Sequence, residues 1–348
     1  MSPPREEALR ESDTPSLSDD LSIESFRLAL TRQIELFRTG KGPATYVFGR
    51  RQYTRGQYLE ILERLLAVSV AANSLTEVFP LIEQDFQFQE VYGRDDWGQV
   101  LVTGYYESRL AGSRVRTEKY RQALYRRPQE LKDGEEFLTR EAIDSELALA
   151  GRNLEICYVD PIDATIIQTQ GSGIINFEDG TEMKLVFAGK NGRKYTPVGK
   201  YVREKLKIAH AYFDSVEAYL RQLPDNEMRE VLNTNESYVF FEENHFGART
   251  AMGIPATAGR TVAIDSKLFP KGGIGFLTFD RPGAEVGESN RVSRFVIAQD
   301  VGSAIQGPAR VDLFIGEGEA AKFEAGRLKS QGKLYFLVPK EDSLNESG

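Results

Sequence analysis

Residues 294–318 read RFVIAQDVGSAIQGPARVDLFIGEG: two alternating apolar runs joined by a glycine-containing connector, with Asp300 and Asp312 inside them. Alternation of this kind marks half-buried β-strands, and it places Asp312 and Phe314 on one face with Leu313 and Ile315 on the other. Asp300 stands where the first run ends. Carboxylates on such strands are costly unless partnered. A third, Asp265, holds a similar place in TVAIDSKLFP. Three aspartates at or in β segments either converge on one site or separately cap turns and take up backbone N–H groups.

Outward from this stretch the chain is punctuated by Gly and Pro between short β segments, from Gly247 to the end. Upstream, DG and NG turns separate β-rich runs in GSGIINFEDGTEMKLVFAGKNGRKYTPVGK, and a helical piece is expected from about Tyr201 to Leu223. GQVLVTGYYESRL reads as a strand. The N-terminal part is helical instead. Phe26, Leu30, Ile34 and Phe37 recur at helical spacing before Gly40. Thr54 and Gln57 have the spacing of a capping box, ahead of a stripe of Tyr58, Ile61, Leu62, Leu65 and Leu66. FPLIEQDFQFQEVYG is expected to form a third helix. The fold class is mainly β with N-terminal helices.

Composition excludes several functions. Among 348 residues, 44 Lys and Arg against 52 Asp and Glu leave a net charge of −8, which argues against a general nucleic-acid binder. One cysteine, Cys157, and two histidines, His210 and His245, rule out a thiolate or multi-histidine metal site, so no metal is expected, and acid/base work by aspartates needs no cofactor, so none is expected. No apolar run is long enough to span a bilayer. Residues 1–20 are polar and Pro/Ser-rich, without the apolar core of a signal peptide or a lipobox cysteine, and are expected to be a disordered tail.

Taken together, VTGYYESRLAGS (102–113), YRRPQEL (125–131), DPIDATIIQTQGSGIINFEDG (160–180), AGKNGRKYTPVGK (188–200), NESYVFFEE (235–243), GIPATAGRTVAID (253–265) and DVGSAIQGPARVDLFIGEGEAAKFEAG (300–326) resemble the MltA family of membrane-bound lytic murein transglycosylases. The family's C-terminal "3D" domain is named for three aspartates, which fall on Asp265, Asp300 and Asp312. The resemblance implies a double-psi β-barrel catalytic domain with its helical layer over residues 21–108 and 248–340. It also implies a second, barrel-like β-rich domain inserted at 109–247 and a substrate groove between the two. It departs from the family at Ser303, where a second glycine is usual, and at Gln306, where a basic residue is usual.

The implied activity is cleavage of peptidoglycan glycan strands, cell-wall degradation by a lyase. Asp312 would be the catalytic acid/base, with Asp300 and Asp265 in support, either as like charges or as structural anchors. A general acid must be protonated near working pH, whereas a free Asp titrates near about 3.9; burial or a neighbouring carboxylate would raise it. For sugar binding, Thr103, Tyr105 and Tyr106 offer hydroxyls and an aromatic platform. Gln168 and Gln170 stand two apart on an expected strand face beside permissive glycines, with Asn191 and Lys190 at a turn. Lys190 suits the lactyl carboxylate or stem-peptide acids. The family places such proteins in the bacterial cell envelope, periplasm or outer membrane, with partners in outer-membrane or cell-wall complexes. Two other readings are a β-1,4-polysaccharide hydrolase and a non-catalytic peptidoglycan-binding protein on the same barrel.

Overall fold

The computed structural model describes residues 3–208, 212–245, 247–283, 288–302 and 304–345. His210 and Ser303 lie outside them. The chain divides into two units: Met1–Tyr105 with Thr250–Gly316 and Leu328–Gly348, and Tyr106–Arg249 with Glu317–Arg327. Residues 317–327, expected with the C-terminal barrel, belong to the second unit.

In unit 1 the main sheet runs β1 (Leu9–Ser12), β2 (Phe86–Val91), β3 (Val100–Ser113), β4 (Thr261–Ala263), β5 (Ile274–Pro282), β6 (Ser289–Asp300), β7 (Arg310–Glu317) and β8 (Lys329–Pro339) along the chain. In space the order is β1-β2-β8-β5-β6-β4-β7-β3, and β8 also pairs with β3. All registered pairs here are antiparallel except β4 with β6, which run parallel. Every residue from Arg294 to Gln299 is buried, as in a strand covered on both faces.

Helix α1 (Ile23–Arg38) supplies part of that cover. Its Ser22 side chain accepts from the Ser25 N–H, and the predicted stripe of Phe26, Leu30, Ile34 and Phe37 is buried. The Phe26 ring meets Phe295 of β6 at 5.6 Å. Helix α2 (Arg55–Ala71) opens with the expected capping box of Thr54 and Gln57. The third predicted helix is only Phe79–Asp85; the chain then turns into β2. Phe86 and Phe88 alternate inward there, at a strand's period of two.

The expectation of a disordered tail is corrected. β1 pairs with β2 from Leu9↔Val91 to Ser12↔Phe88. Downstream, the Asp19 carboxylate accepts from both terminal nitrogens of Arg260, at 2.5 and 2.9 Å, with both side chains fully buried. It also accepts the Phe295 N–H at 2.8 Å, and Asp20 pairs with Arg294 at 2.5 Å. A buried guanidinium needs a carboxylate, and the polar N-terminal segment provides it.

Unit 2 mixes strands with helices, where a β-rich insert was expected. Ser108–Gly112 of β3 pairs in parallel with Ser172–Phe177, which pairs with Glu182–Lys190, which pairs with Val239–Glu243. Gln122–Tyr125 and Glu155–Val159 form a further ladder. Helices span Val198–Leu206, Phe213–Gln222 and Asp225–Asn233. A further helix, α3, covers Pro161–Gln170, with Asp160 accepting at its N-cap and Gly171 (φ 82°) closing it.

Candidate active site

Ala263, the last residue of β4, organises the site. It pairs with Asp312 of β7 on one side and with Asp300 of β6 on the other, after a bulge in the parallel ladder. The two aspartates thus flank one short strand rather than forming a contact dyad.

Strand β3 supplies two hydroxyls at alternate positions, hence on one face. Thr103 Oγ1 donates to Asp312 Oδ1 at 2.6 Å, and the Tyr105 hydroxyl donates to Asp300 Oδ2 at 2.8 Å. The Tyr105 ring leans on Phe314 at 5.2 Å.

The two carboxyls differ in what remains free. Asp300 Oδ1 accepts the N–H groups of Ala251 and Val301, both at 2.9 Å, so both its oxygens are engaged. Burial raises its pKa against these three donors and the charge of Lys271, yet every protein partner donates, which only the ionised form accommodates fully. Asp312 accepts from Thr103 alone among the described residues, and its Oδ2 is not enclosed without a partner. Its pKa is pushed up to about 6. Burial is the first cause, opposed by the Thr103 hydrogen bond and the Arg310 charge, and Asp300 adds the smallest contribution. The sequence left open whether burial or a neighbouring carboxylate would lift this acid; burial dominates.

Asp265 is placed differently. Its Oδ1 accepts the Lys267 N–H at 3.0 Å, and its Oδ2 accepts the Gly307 N–H at 2.8 Å. It anchors the connector between β6 and β7.

Tyr106, Gln168, Gln170, Lys190 and Asn191 all lie in unit 2. Tyr106 points to the opposite face of β3 from Tyr105, 3% exposed, with its ring against Phe213 at 6.3 Å. It therefore forms no open platform with Tyr105. The strand expected for Gln168 and Gln170 is helix α3. Gln168 is buried and accepts from Arg140 at 2.6 Å, while Gln170 accepts the Tyr106 N–H at 3.0 Å. Of the glycines beside them, Gly171 ends the helix. A Cβ on Gly173 would meet Ser108 Oγ at 2.6 Å and Ile167 Cδ1 at 2.7 Å, so it serves packing. Asn191 is fully buried; its amide donates to Leu138 and Glu236 carbonyls and its oxygen accepts from Tyr238. Lys190 is exposed at the end of its strand.

Two residues went unread. Arg310 precedes Asp312 by two in ARVDLF, so the alternation that placed Asp312 also placed a cation beside it. Glu107 follows Tyr105 by two, is 5% exposed, and is pushed up to about 7 by burial and then by Glu317. Its strand setting gave no sign of that burial. Among the described residues no group of three or more His, Cys, Asp or Glu side chains is placed to hold a metal ion.

Residues 101–242 match the MltA specific insert domain, and residues 260–338 match the 3D domain; together the two models cover more than half of the chain. The chain belongs to the MltA family. Membrane-bound lytic murein transglycosylase A of Escherichia coli K12 is 28% identical over 258 residues, covering 71% of this chain and 68% of that relative. The corresponding protein of Vibrio cholerae is 29% identical over 272 residues, covering 74% and 70%. Among solved structures, a membrane-bound lytic murein transglycosylase from Agrobacterium tumefaciens aligns with a TM-score of 0.78 at 26% identity, over 95% of this chain and 98% of that one. Escherichia coli MltA with bound chitohexaose aligns at 0.76 and 22% identity, over 96% and 95%, a likeness that speaks for the fold. No helix among the described residues is long and apolar enough to cross a membrane.

Proposed function

We propose that this protein is a peptidoglycan lytic transglycosylase in the cell envelope. It cleaves the β-1,4 bond between N-acetylmuramic acid and N-acetylglucosamine, with Asp312 acting first as acid and then as base. The names of its relatives support the reaction class. The observation that carries the mechanism is the contrast between Asp312, raised to about 6 with one oxygen open, and Asp300, whose oxygens are both taken.

Protonated Asp312 gives its proton to the bridging oxygen as the C1–O bond breaks. The C6 hydroxyl of the same muramoyl residue attacks C1, and its proton passes to the Asp312 carboxylate. The product is a 1,6-anhydromuramoyl end, the acid is restored, and no water is consumed. A tethered nucleophile needs little positioning beyond ring conformation. A hydrolase of the usual two-carboxylate type would need a second carboxylate free to work on water or on the sugar, and Asp300 is occupied. With a pKa near 6, roughly a tenth of Asp312 is protonated at pH 7, against less than a thousandth for an unshifted Asp.

Thr103 aligns Asp312, Tyr105 and Asp300 brace the same face, and Asp265 holds the connector. We read unit 1 as a double-psi β-barrel, a reading supported by the pairing of β8 with both β5 and β3. The chitohexaose bound by Escherichia coli MltA supports a β-1,4 glycan as ligand. Lys190 stays a candidate contact for substrate acids; Asn191, consumed by internal hydrogen bonds, and Gln168, buried with its oxygen held by Arg140, do not.

The test is mass spectrometry of soluble products after incubating purified peptidoglycan with wild-type protein and with Asp312→Ala. Anhydro-muropeptides from the wild type and none from the folded variant are expected. Reducing-end products would overturn the mechanism in favour of hydrolysis. Binding without products would overturn the enzyme.

A further inference from the structure

A cavity of about 310 Å³ opens in unit 1 beside the catalytic face. The cations Arg94, Arg310 and Lys329 and the amides Gln99, Gln306 and Gln331 line it, and no Asp or Glu does. This arrangement is unusual in a chain of net charge −8. None of the three cations forms an ion pair among the described residues. Arg310 donates to the Ala304 carbonyl at 3.0 Å, which fixes its guanidinium, and its Nε is buried without an acceptor. Three like charges gathered on a concavity repel one another, and an arriving anion relieves that repulsion.

Strand register ties this cavity to the reaction. Lys329 of β8 pairs with Thr103 of β3, and Gln331 pairs with Leu101. Residues directly opposite in an antiparallel pair share a face, with Cβ atoms about 5 Å apart. Arg310 precedes Asp312 by two on β7, so it too shares the face of the catalytic acid. The Leu101 N–H donates to the Ala309 carbonyl at 2.8 Å, closing the cavity floor between β3 and the connector. The cationic lining therefore begins one residue pair from the hydroxyl that holds Asp312. Guanidinium, ammonium and carboxamide N–H groups together make a donor-rich site, and Arg takes carboxylates in planar, two-pronged fashion. The volume is at the small end for ligand sites, suiting a substituent rather than a sugar chain.

We propose that this cavity is an anion subsite for a carboxylate carried by the muramoyl residue, either its lactyl group or the acids of its stem peptide. This rests on the glycan reading of the site. It adds a contact to a charged substituent that a neutral β-1,4 glycan does not carry.

The experiment measures binding on the Asp312→Asn protein, so that turnover does not intrude, with and without the further changes Arg94→Gln and Lys329→Gln. Three labelled probes are used at low salt: peptide-bearing strands, strands stripped of peptide, and neutral chitohexaose. The paired substitution is expected to weaken binding of muramoyl strands about fivefold, from typical exposed charge pairs, and to leave chitohexaose binding intact. The difference should shrink as salt shortens the screening length. Weakening on stripped strands assigns the lactyl carboxylate; weakening confined to peptide-bearing strands assigns the stem-peptide acids. Unchanged binding of both muramoyl probes, or an equal loss for chitohexaose, would overturn the subsite. Should the wild type yield no anhydro products while charge removal still weakens strand binding, the reaction reading fails and the subsite stands.

Discussion

Replacing Asp312 with Asn should stabilise the protein while silencing it. A carboxyl raised from 3.8 to about 6 by folding is harder to ionise in the native state than in the unfolded chain. The difference is worth about 3 kcal/mol as an upper bound, at about 1.4 kcal/mol per pH unit. The sign follows from proton binding. Between pH 3.8 and 6 the folded form holds more protons than the unfolded one, so wild-type stability falls as pH rises through that window and levels off above it. Asn has nearly the same shape, keeps an oxygen to accept from Thr103, and carries no charge to bury. Asp312→Asn should therefore unfold at higher urea than wild type at pH 8, by about 1–3 kcal/mol, and match it near pH 3.5. Loss of the general acid should cost about a hundredfold to ten-thousandfold in turnover. Urea titrations of both proteins across pH 3.5–8, with product release assayed in parallel, give the comparison. A stability gain independent of pH, or a variant less stable at pH 8, would refute the claim that burial of the charge sets this pKa.

Thr103→Val removes the donor that lowers the Asp312 pKa. The alkaline limb of kcat/KM should move to higher pH, with about a tenfold loss at the optimum, as for a hydrogen bond to a charged group; a limb that stays in place would deny Thr103 this role. Asp19→Ala leaves the fully buried Arg260 guanidinium without its carboxylate. That should cost about 3–5 kcal/mol in urea unfolding of the full chain, whereas a loose tail would cost almost nothing.

What the sequence made legible was local. The stripes of α1 and α2 and the box at Thr54 and Gln57 depend on residues three to seven apart, and alternation placed Asp312 and Phe314 on one face before any partner was known. The missed parts depend on distance along the chain. Asp19 reads as one more polar tail residue because its partner Arg260 is 241 positions away. The Gln168 and Gln170 pair was misassigned for a different reason. Thr165, Ile166, Ile167 and Thr169 are β-branched and suggest a strand, yet Asp160 at the N-cap, Pro161 after it and Gly171 at the end spell a helix. Boundary chemistry should have outweighed propensity. The site itself needed both kinds of information. Alternation says which way Asp300 and Asp312 face, but only the parallel β4–β6 pairing puts Ala263 between them. That separation leaves each carboxyl its own environment: Asp300 with donors on both oxygens, Asp312 half-buried with one oxygen open. Had they met directly, their mutual repulsion would have shared one proton between them. The reaction proposed here instead needs one acid acting alone, and the intervening strand provides that isolation.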